Sequence, residues 1–128
     1  MDKQIEIDKA ELEACARAGH EVNRVFCIAM GDKSHPPWDD CPDWHKQSNR
    51  VQAAYVLQSR TPVEAHELWR TEKIAAGWTY GAERIPVKKE HPALMPFGDL
   101  PPEQRIKNEL FAKVVHALAE AHWRIPNQ

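Results

Sequence analysis

Apolar residues recur at spacings of three and four along four separate stretches of the chain. The stretches cover about residues 9–30, 42–58, 63–76 and 101–121. This spacing places apolar side chains on one face of an α-helix. The pattern therefore predicts a mainly all-α fold with four main helices.

Two of these helices have clear start and stop signals in the sequence. Asp8 lies three residues before Glu11, and Thr61-Pro62-Val63-Glu64 combines a hydroxyl cap, a proline at the first helical position and a glutamate at the third. Such side chains hold the free amide groups of a first helical turn. Gly31 and Gly77 follow the corresponding apolar stretches and predict where these two helices end.

The connection from residue 78 to 99 has no helical period. A structureless connection of this length inside a compact unit is usually functional or disordered, and its aromatic residues argue against disorder. We expect minor extended structure at 78–80 and 85–88, arranged as a small hairpin around Gly81. The tail at 123–128 is expected to dock through Trp123 or to fray.

Composition and charge limit the classes of partner. The 128 residues are enough for one domain, and 17 basic and 19 acidic residues are interspersed along the chain. This balance disfavours a nucleic-acid surface or a polybasic membrane patch. No signal-peptide core and no apolar run of membrane-spanning length is present, and three cysteines lack CxxC spacing. We expect a cytoplasmic protein with reduced thiols and no zinc site.

The two halves of the sequence resemble each other. His-Glu-Val-Asn-Arg at 20–24 matches His-Glu-Leu-Trp-Arg at 66–70, and residues 38–51 match 97–110. We expect one domain, 1–128, in which helical hairpins from 8–60 and 61–121 pack about a pseudo-twofold axis. A chance similarity between two helical hairpins is the alternative.

Five motifs of the second half occur in a characteristic order. They are His-Glu-x-Trp at 66–69, Lys-Ile at 73–74, Gly-Trp-Thr-Tyr-Gly at 77–81, His-Pro-x-Leu-x-Pro-Phe at 91–97 and Leu-Pro-x-Glu at 100–103. Together they resemble the RyR domain, the repeat named after the ryanodine receptor, which also occurs in small bacterial and phage proteins. The resemblance implies a paired helical repeat whose cleft in some members accepts a purine or an adenine nucleotide. It implies no catalytic residues.

The resemblance also implies which side chains meet the ligand. In the family, the tryptophan of His-Glu-x-Trp and an asparagine on the following helix contact the bound ring system, and here these are Trp69 and Asn108. Their counterparts in the first half, Asn23 and Asn49, are expected around the same concavity. An indole suits stacking on a base, and a carboxamide suits the donor and acceptor edge of adenine. The alternative for Trp69 is an ordinary core residue.

Helical spacing and charge add further candidates for the site. His66 and Lys73 lie three residues before and four residues after Trp69, on the same helical side, and Lys73 could neutralise a phosphate. A solvated helical surface is the alternative for this lysine. Other phosphate candidates are Arg24, Arg70, Tyr80, Lys88 and Lys89, the last two on a connection that could form a lid.

Metal binding and catalysis receive little support from the sequence. Arg24 and Arg70 occupy the position four after each histidine of the repeated motif, so no His-Glu-x-x-His is present. We expect each histidine to bond the neighbouring connection and each glutamate to pair with a basic residue. No nucleophile, base and orienting group can be picked out. We therefore expect no metal, no cofactor and no enzyme activity.

The sequence thus favours a non-catalytic binding module for an adenine-containing nucleotide, such as an NAD-derived signalling nucleotide of the ADP-ribose type. In a phage, such a protein could sequester a host messenger as a counter-defence. The alternative is a protein-interaction module that uses the cleft or exposed aromatics for a peptide or a homo-oligomer contact. A small nucleotide hydrolase is a third hypothesis.

Overall fold

The four predicted helices are all present. The computed structural model describes residues 8–122, and its helices are α1 (Lys9–Ala29), α2 (Asp43–Leu57), α3 (Pro62–Ala75) and α4 (Pro102–His122). Each helix end lies within about one residue of its predicted position, and the all-α prediction is confirmed. The predictions for the tail at 123–128 lie outside the described residues.

Helix ends follow the sequence signals. The Asp8 carboxylate accepts from the backbone N–H of Ala10 at 2.6 Å, and the Thr61 hydroxyl accepts from that of Glu64 at 3.1 Å. α1 and α3 end at Gly31 and Gly77, whose φ angles are +94° and +93°. Glycine adopts this left-handed conformation without the penalty that a Cβ atom imposes, so both helices stop where the sequence predicts.

The core lies mainly between α1, α2 and α4. α1 packs against α4 and α2, whereas α3 packs against α2 and touches α4 only slightly. Most of the buried side chains come from α1, α2 and α4. They are Cys15, Ala16, Trp38, Ala53, Val56, Leu57, Ala65, Phe111, Ala112, Val115 and Ala119. α3 is therefore the helix that is least held by the core.

A glycine allows the closest approach between α1 and α4. The fully buried ring of Phe111 lies against Gly19, where a Cβ atom would stand 2.3 Å from Phe111 Cε2. When the two halves are aligned by their shared motifs, Gly19 corresponds to Ala65 and Phe111 corresponds to Gln52. A polar amide replaces the large ring there, so the second crossing, between α3 and α2, lacks the group that fills the first.

The repeated histidine makes the same hydrogen bond in both halves. His20 Nε2–H donates to the carbonyl of Pro36 at 2.7 Å, and His66 Nε2–H donates to the carbonyl of Met95 at 2.7 Å. Both acceptors lie just before a short 3₁₀ turn, at Trp38–Asp40 in the first half and Phe97–Asp99 in the second. The prediction that each histidine bonds the neighbouring connection is confirmed.

The glutamate that follows each histidine also has the same role twice. Glu21 accepts from the backbone N–H of Trp38 at 2.8 Å, and Glu67 accepts from that of Phe97 at 3.2 Å. Each carboxylate also accepts from the arginine three residues later, at 3.1 and 2.8 Å. Burial favours a higher pKa for Glu67, but the Arg70 hydrogen bond and the Phe97 amide bring its pKa below the ordinary value. The predicted pairing of glutamate with a basic residue is confirmed.

The long connection contains minor β structure, but its pairing differs from the prediction. Strand β1 (Thr79–Tyr80) runs parallel to β2 (Glu90–His91), and Ile85 forms an antiparallel bridge with Glu90. The hairpin around Gly81 and the extended segment at 85–88 are therefore wrong. Pro86 begins a 3₁₀ turn at Pro86–Lys88, because its fixed φ angle suits a turn and it has no N–H for a strand ladder.

We predict that Gly19→Ala lowers the free energy of unfolding by about 1–3 kcal/mol, because the added methyl group overpacks against the buried Phe111 ring. Urea denaturation measures the change. Gly98→Ala is the control: its Cβ would meet nothing within 4 Å, and we expect a change within about 0.5 kcal/mol. The cost should shrink in a Phe111→Leu background, and an equal cost in both backgrounds would contradict the contact.

Candidate functional site

A cavity of about 530 Å³ opens between α2, α3, α4 and the long connection. It lies where α3 stands away from α4. Its walls combine aromatic, amide and cationic side chains with a few apolar ones. The lining residues that carry the chemistry discussed below are Trp44, His66, Trp69, Lys73, Arg84, His91, Gln104 and Asn108.

The wall formed by α2 explains why several of its apolar residues are exposed. Trp44, Ser48, Val51 and Tyr55 recur at spacings of three and four and all line the cavity. Apolar spacing alone would place this side of the helix against the core, yet Trp44 is 62% exposed. This side of α2 faces the cavity, which leaves apolar surface open on that wall.

Tyr55 ties the α2 wall to the α3 wall. Its hydroxyl donates to the Glu72 carboxylate at 2.6 Å. Burial and the hydrogen bond to Glu72 raise the pKa of Tyr55 to about 12. The phenol is therefore a neutral donor at physiological pH, and this bond holds α3 against α2 on one side of the cavity.

Trp69 is fixed by rings on two sides. The His66 ring lies 5.4 Å away between centroids, and the His91 ring lies 5.0 Å away at 72° to the indole plane. His66 is itself buried and held by its bond to the Met95 carbonyl. The indole is only partly buried, so Trp69 is a preorganised aromatic surface on the cavity wall rather than a fully enclosed core residue.

His91 faces the cavity as a neutral imidazole. Burial, followed by the charges of Arg84 and Lys73, lowers its pKa to about 4. Its Nδ1 accepts from the backbone N–H of Ala93 at 3.0 Å. In this neutral tautomer the proton is on Nε2, so His91 can offer a hydrogen-bond donor without carrying a full charge.

Two cations at the cavity have aromatic neighbours instead of carboxylates. Lys73 Nζ lies 4.3 Å from the centroid of the Trp78 ring, and the Arg84 guanidinium lies 5.6 Å from that of Trp44. Among residues 8–122, neither forms an ion pair with an acidic side chain. Burial and the charge of Arg84 lower the pKa of Lys73. Uncompensated positive charge at a concave site favours an anionic ligand.

Asn108 reaches the cavity from α4 with its amide orientation set by a neighbour. The Gln104 side-chain N–H donates to Asn108 Oδ1 at 3.0 Å. This bond leaves the Asn108 NH₂ group and one oxygen lone pair for another partner. The residue can therefore donate and accept hydrogen bonds at the same time, as the edge of a purine requires.

The predicted first-half residues lie around a different cavity. Asn23, Arg24 and Asn49 line a smaller cavity of about 120 Å³, so Asn23 and Trp69 do not line the same cavity. Asn108 also lines the smaller one, beside Asn49, its counterpart. Gln52, Gln104 and Asn108 line both cavities and form the wall between them. The predicted candidates therefore divide: Trp69, Asn108, His66 and Lys73 line the larger cavity.

The cationic and aromatic candidates on the long connection lie elsewhere. Tyr80 is 58% exposed on β1 and lines neither cavity. Lys89 has a left-handed backbone, and its ammonium group donates to the Ala76 carbonyl at 2.8 Å. Lys88 lines neither cavity. Lys89 thus satisfies the end of α3 rather than a phosphate.

The sequence reasoning missed Arg84, Trp44 and His91 as site residues. Arg84 belongs to no motif, and only the folded connection brings it beside the cavity. The other two residues do carry a sequence signal. Trp44 belongs to the apolar side of α2, and His91 belongs to the His-Pro motif. The sequence reasoning also found no linked catalytic groups, whereas Cys41 Sγ lies 3.4 Å from His20 Nε2.

This thiol does not have the environment of a nucleophile. Burial raises the pKa of Cys41, so it stays protonated at neutral pH. Its sulfur lies close to the carbonyls of Pro36 and Pro37, at 3.8 and 3.5 Å, and Cys41 lines neither cavity. The contact with His20 therefore does not favour nucleophilic catalysis.

Comparison with known protein families identifies the second half of the chain. A family model described as the RyR domain matches residues 52–127, more than half of the chain. The match includes α3, the long connection and the described part of α4. It also includes the residues that line the larger cavity, except for those in the first part of α2.

Within residues 8–122, no helix is both long and apolar enough to cross a membrane.

We predict that His91 makes the fold less stable in acid. Its pKa is about 4 in the folded protein and 6.5 ordinarily, so the unfolded chain binds the extra proton between these values. Stability should fall as the pH drops from 6.5 towards 4, by roughly 1–2 kcal/mol after allowance for partial solvent exposure. Denaturant titrations at pH 7, 5.5 and 4 measure this loss.

His91→Asn is the matched variant, because asparagine keeps an acceptor for the Ala93 N–H and does not titrate. The variant should lose this part of the pH dependence. Identical slopes of stability against pH for the variant and the wild type would show that His91 is not the responsible group.

Proposed function

Because the chain belongs to the RyR domain family, we propose that it binds an adenine-containing nucleotide, without catalysis, in the larger cavity. One observation carries the proposal. The same concave surface of about 530 Å³ is lined by a preorganised indole, a carboxamide and two cations that pair with no carboxylate within residues 8–122. This volume lies within the range typical of small-molecule sites.

The base is proposed to stack on Trp69. Stacking on an aromatic side chain contributes about 1–3 kcal/mol per base. The flanking rings of His66 and His91 hold the indole, so binding does not have to order it. The Asn108 amide, oriented by Gln104, provides the donor and acceptor for the edge of the base.

The phosphates are proposed to lie at Lys73 and Arg84. Both groups are cationic and both line the cavity. The Trp78 ring lies beside Lys73, and the Trp44 ring lies beside Arg84. A phosphate between them would relieve their mutual repulsion and form charge-assisted hydrogen bonds. The neutral His91 adds a donor nearby without adding to the repulsion.

Two cations suit a diphosphate better than a nucleoside. We therefore favour an NAD-derived nucleotide of the ADP-ribose type as the ligand class. Binding without turnover would sequester such a messenger in the cytoplasm, and in a phage-encoded protein this would act as a counter-defence. The three free cysteines fit a reducing compartment.

A protein-interaction module is the second candidate, and one surface favours it. Val25, Ile28 and Met30 are exposed near the end of α1, at 61, 39 and 57%. Apolar residues clustered this closely are typical of a contact surface. Light scattering separates the two functions: a dimer that Val25→Glu dissociates, in a protein that binds no nucleotide, favours the interaction module.

We predict that Trp69→Leu weakens nucleotide binding roughly 5- to 150-fold, as the loss of a stacked base implies. Isothermal titration calorimetry with ADP-ribose, cyclic ADP-ribose, ATP and NAD measures the affinity. Asn108→Ala should also weaken binding. Tyr80→Ala removes an aromatic side chain that lines neither cavity, and it should bind as the wild type does.

Absence of heat and of any thermal shift with all four nucleotides would refute nucleotide binding. Equal losses in Trp69→Leu and Tyr80→Ala would show that the ligand does not stack in this cavity. Circular dichroism confirms that each variant is folded before its affinity is compared.

We predict that Arg84→Ala separates the phosphate contact from the base contact. Affinity for ADP-ribose should fall about tenfold or more, since a hydrogen bond to a charged group contributes about 1.5–3 kcal/mol. Affinity for adenosine should change less than about twofold. Lys88→Ala, on the same connection but outside the cavity, should change neither. An equal loss for adenosine and ADP-ribose would place the phosphates elsewhere.

A further inference from the structure

A second group of chemically reactive side chains meets away from the larger cavity. His20, Cys41 and His45 each offer one ligand atom, and these atoms all lie within 4.8 Å of one another. Cys41 Sγ and His20 Nε2 are 3.4 Å apart, and the rings of His20 and His45 meet edge to face with centroids 5.0 Å apart. Bound metal ions hold their ligand atoms at similar separations.

Three segments bring these side chains together. His20 comes from the middle of α1 and is 4% exposed, and Cys41, just before α2, is 6% exposed. His45 lies in the first turn of α2, and its ring comes within ligand distance of Cys41 Sγ, although Cys41 itself precedes the helix. His20 and His45 also line the smaller cavity, which gives the cluster a route to solvent.

The repeat shows that two of these residues are additional. His20 and His66 share the bond that ties a helix to its connection, so this structural role accounts for the shared histidine. The positions that correspond to Cys41 and His45 in the second half are Leu100 and Gln104. A thiol and an imidazole therefore stand beside the shared histidine in the first half only. Leu100 is buried like Cys41, so burial at this position does not call for a thiol.

We propose that His20, Cys41 and His45 form a binding site for a divalent transition metal of the zinc class. Two imidazoles and one thiolate are the borderline-soft ligands that Zn²⁺ and Co²⁺ prefer, and they disfavour Mg²⁺ and Ca²⁺. The smaller cavity supplies space for water in a fourth position. The expectation of no metal rested on the missing His-Glu-x-x-His pattern, which these ligands do not use.

Metal binding changes the protonation of Cys41 and His20, and the hydrogen-bond partners of His20 allow this change. Without metal, His20 Nε2–H donates to Pro36, and Nδ1 lies 3.3 Å from the Asn49 amide. On binding, the Cys41 thiol loses its proton to solvent, and the His20 proton moves from Nε2 to Nδ1. The metal at Nε2 then replaces the hydrogen bond from Nε2–H to the Pro36 carbonyl. Asn49 then turns its oxygen towards Nδ1–H. Such an outer hydrogen bond is usual for a metal-bound histidine.

A competing cluster is less suited to the same ions. Cys27, Asp32 and His35 also approach within ligand distance of one another. Asp32 is exposed, already accepts from the hydroxyl of Ser34 at 2.6 Å and contacts His35 at 3.5 Å. The Cys41 cluster is more enclosed. Its two histidines come from α1 and α2, so a metal there would join these helices.

Cobalt(II) titration of the purified, reduced full chain tests the proposal. We expect 1:1 binding with a thiolate-to-cobalt absorption band in the near ultraviolet and intense visible bands of tetrahedral cobalt, all removed by added Zn²⁺. Cys41→Ser should lose the thiolate band. His45→Gln should weaken binding at least tenfold, and Asn49→Ala about 10- to 100-fold. Cys27→Ser and His35→Gln should keep both the band and the affinity.

Loss of the band in Cys27→Ser, with its retention in Cys41→Ser, would assign the metal to the other cluster and overturn the proposal. Absence of saturable 1:1 binding by the wild type would also overturn it, and this result does not depend on any variant. Circular dichroism of each variant separates ligand loss from unfolding, and Zn²⁺ should raise the melting temperature of the wild type but not that of Cys41→Ser.

Discussion

The approach of Phe111 to Gly19 determines how the helices share the interior. Because a glycine stands beneath the ring, α1 and α4 come close enough to bury the aromatic side chain completely. The matching positions on α3 and α2 hold alanine and glutamine, so no ring fills the second crossing. The α1–α4 crossing is consequently filled by a buried ring, whereas the larger cavity opens beside α2 and α3.

Hydrogen bonds to the connections complement this packing. His20 and His66 each bond a carbonyl just before a 3₁₀ turn, and the neighbouring glutamates hold the first amide of that turn. A buried histidine and a charged carboxylate thereby fix chain segments that have few backbone partners of their own. In the second half this arrangement also supports Trp69, because His66 packs against the indole. The same bonds thus serve both stability and the shape of the cavity.

The sequence predicted those features that depend on local chemistry. Helix positions follow from apolar spacing and from caps such as Thr61 and Gly77, and the roles of the repeated histidine and glutamate follow from their type. Features that depend on how elements approach one another were not predictable. Arg84 reaches the cavity through the fold of an irregular connection, and the amides of Gln52, Gln104 and Asn108 lie between the two cavities. The parallel pairing of β1 and β2 likewise depends on Pro86 and Lys89 shaping the turns between them.

The wall between the cavities consists of amides that belong to both sides. Gln52, Gln104 and Asn108 line both the larger and the smaller cavity. One N–H of the Gln104 amide already donates to Asn108. An amide has few hydrogen-bonding positions, so a molecule that recruits them from one side changes what they offer on the other. Any such effect must be reciprocal, because the coupling free energy is the same in either order of binding. If both proposed ligands bind, the three shared amides would couple the two sites without a change of fold.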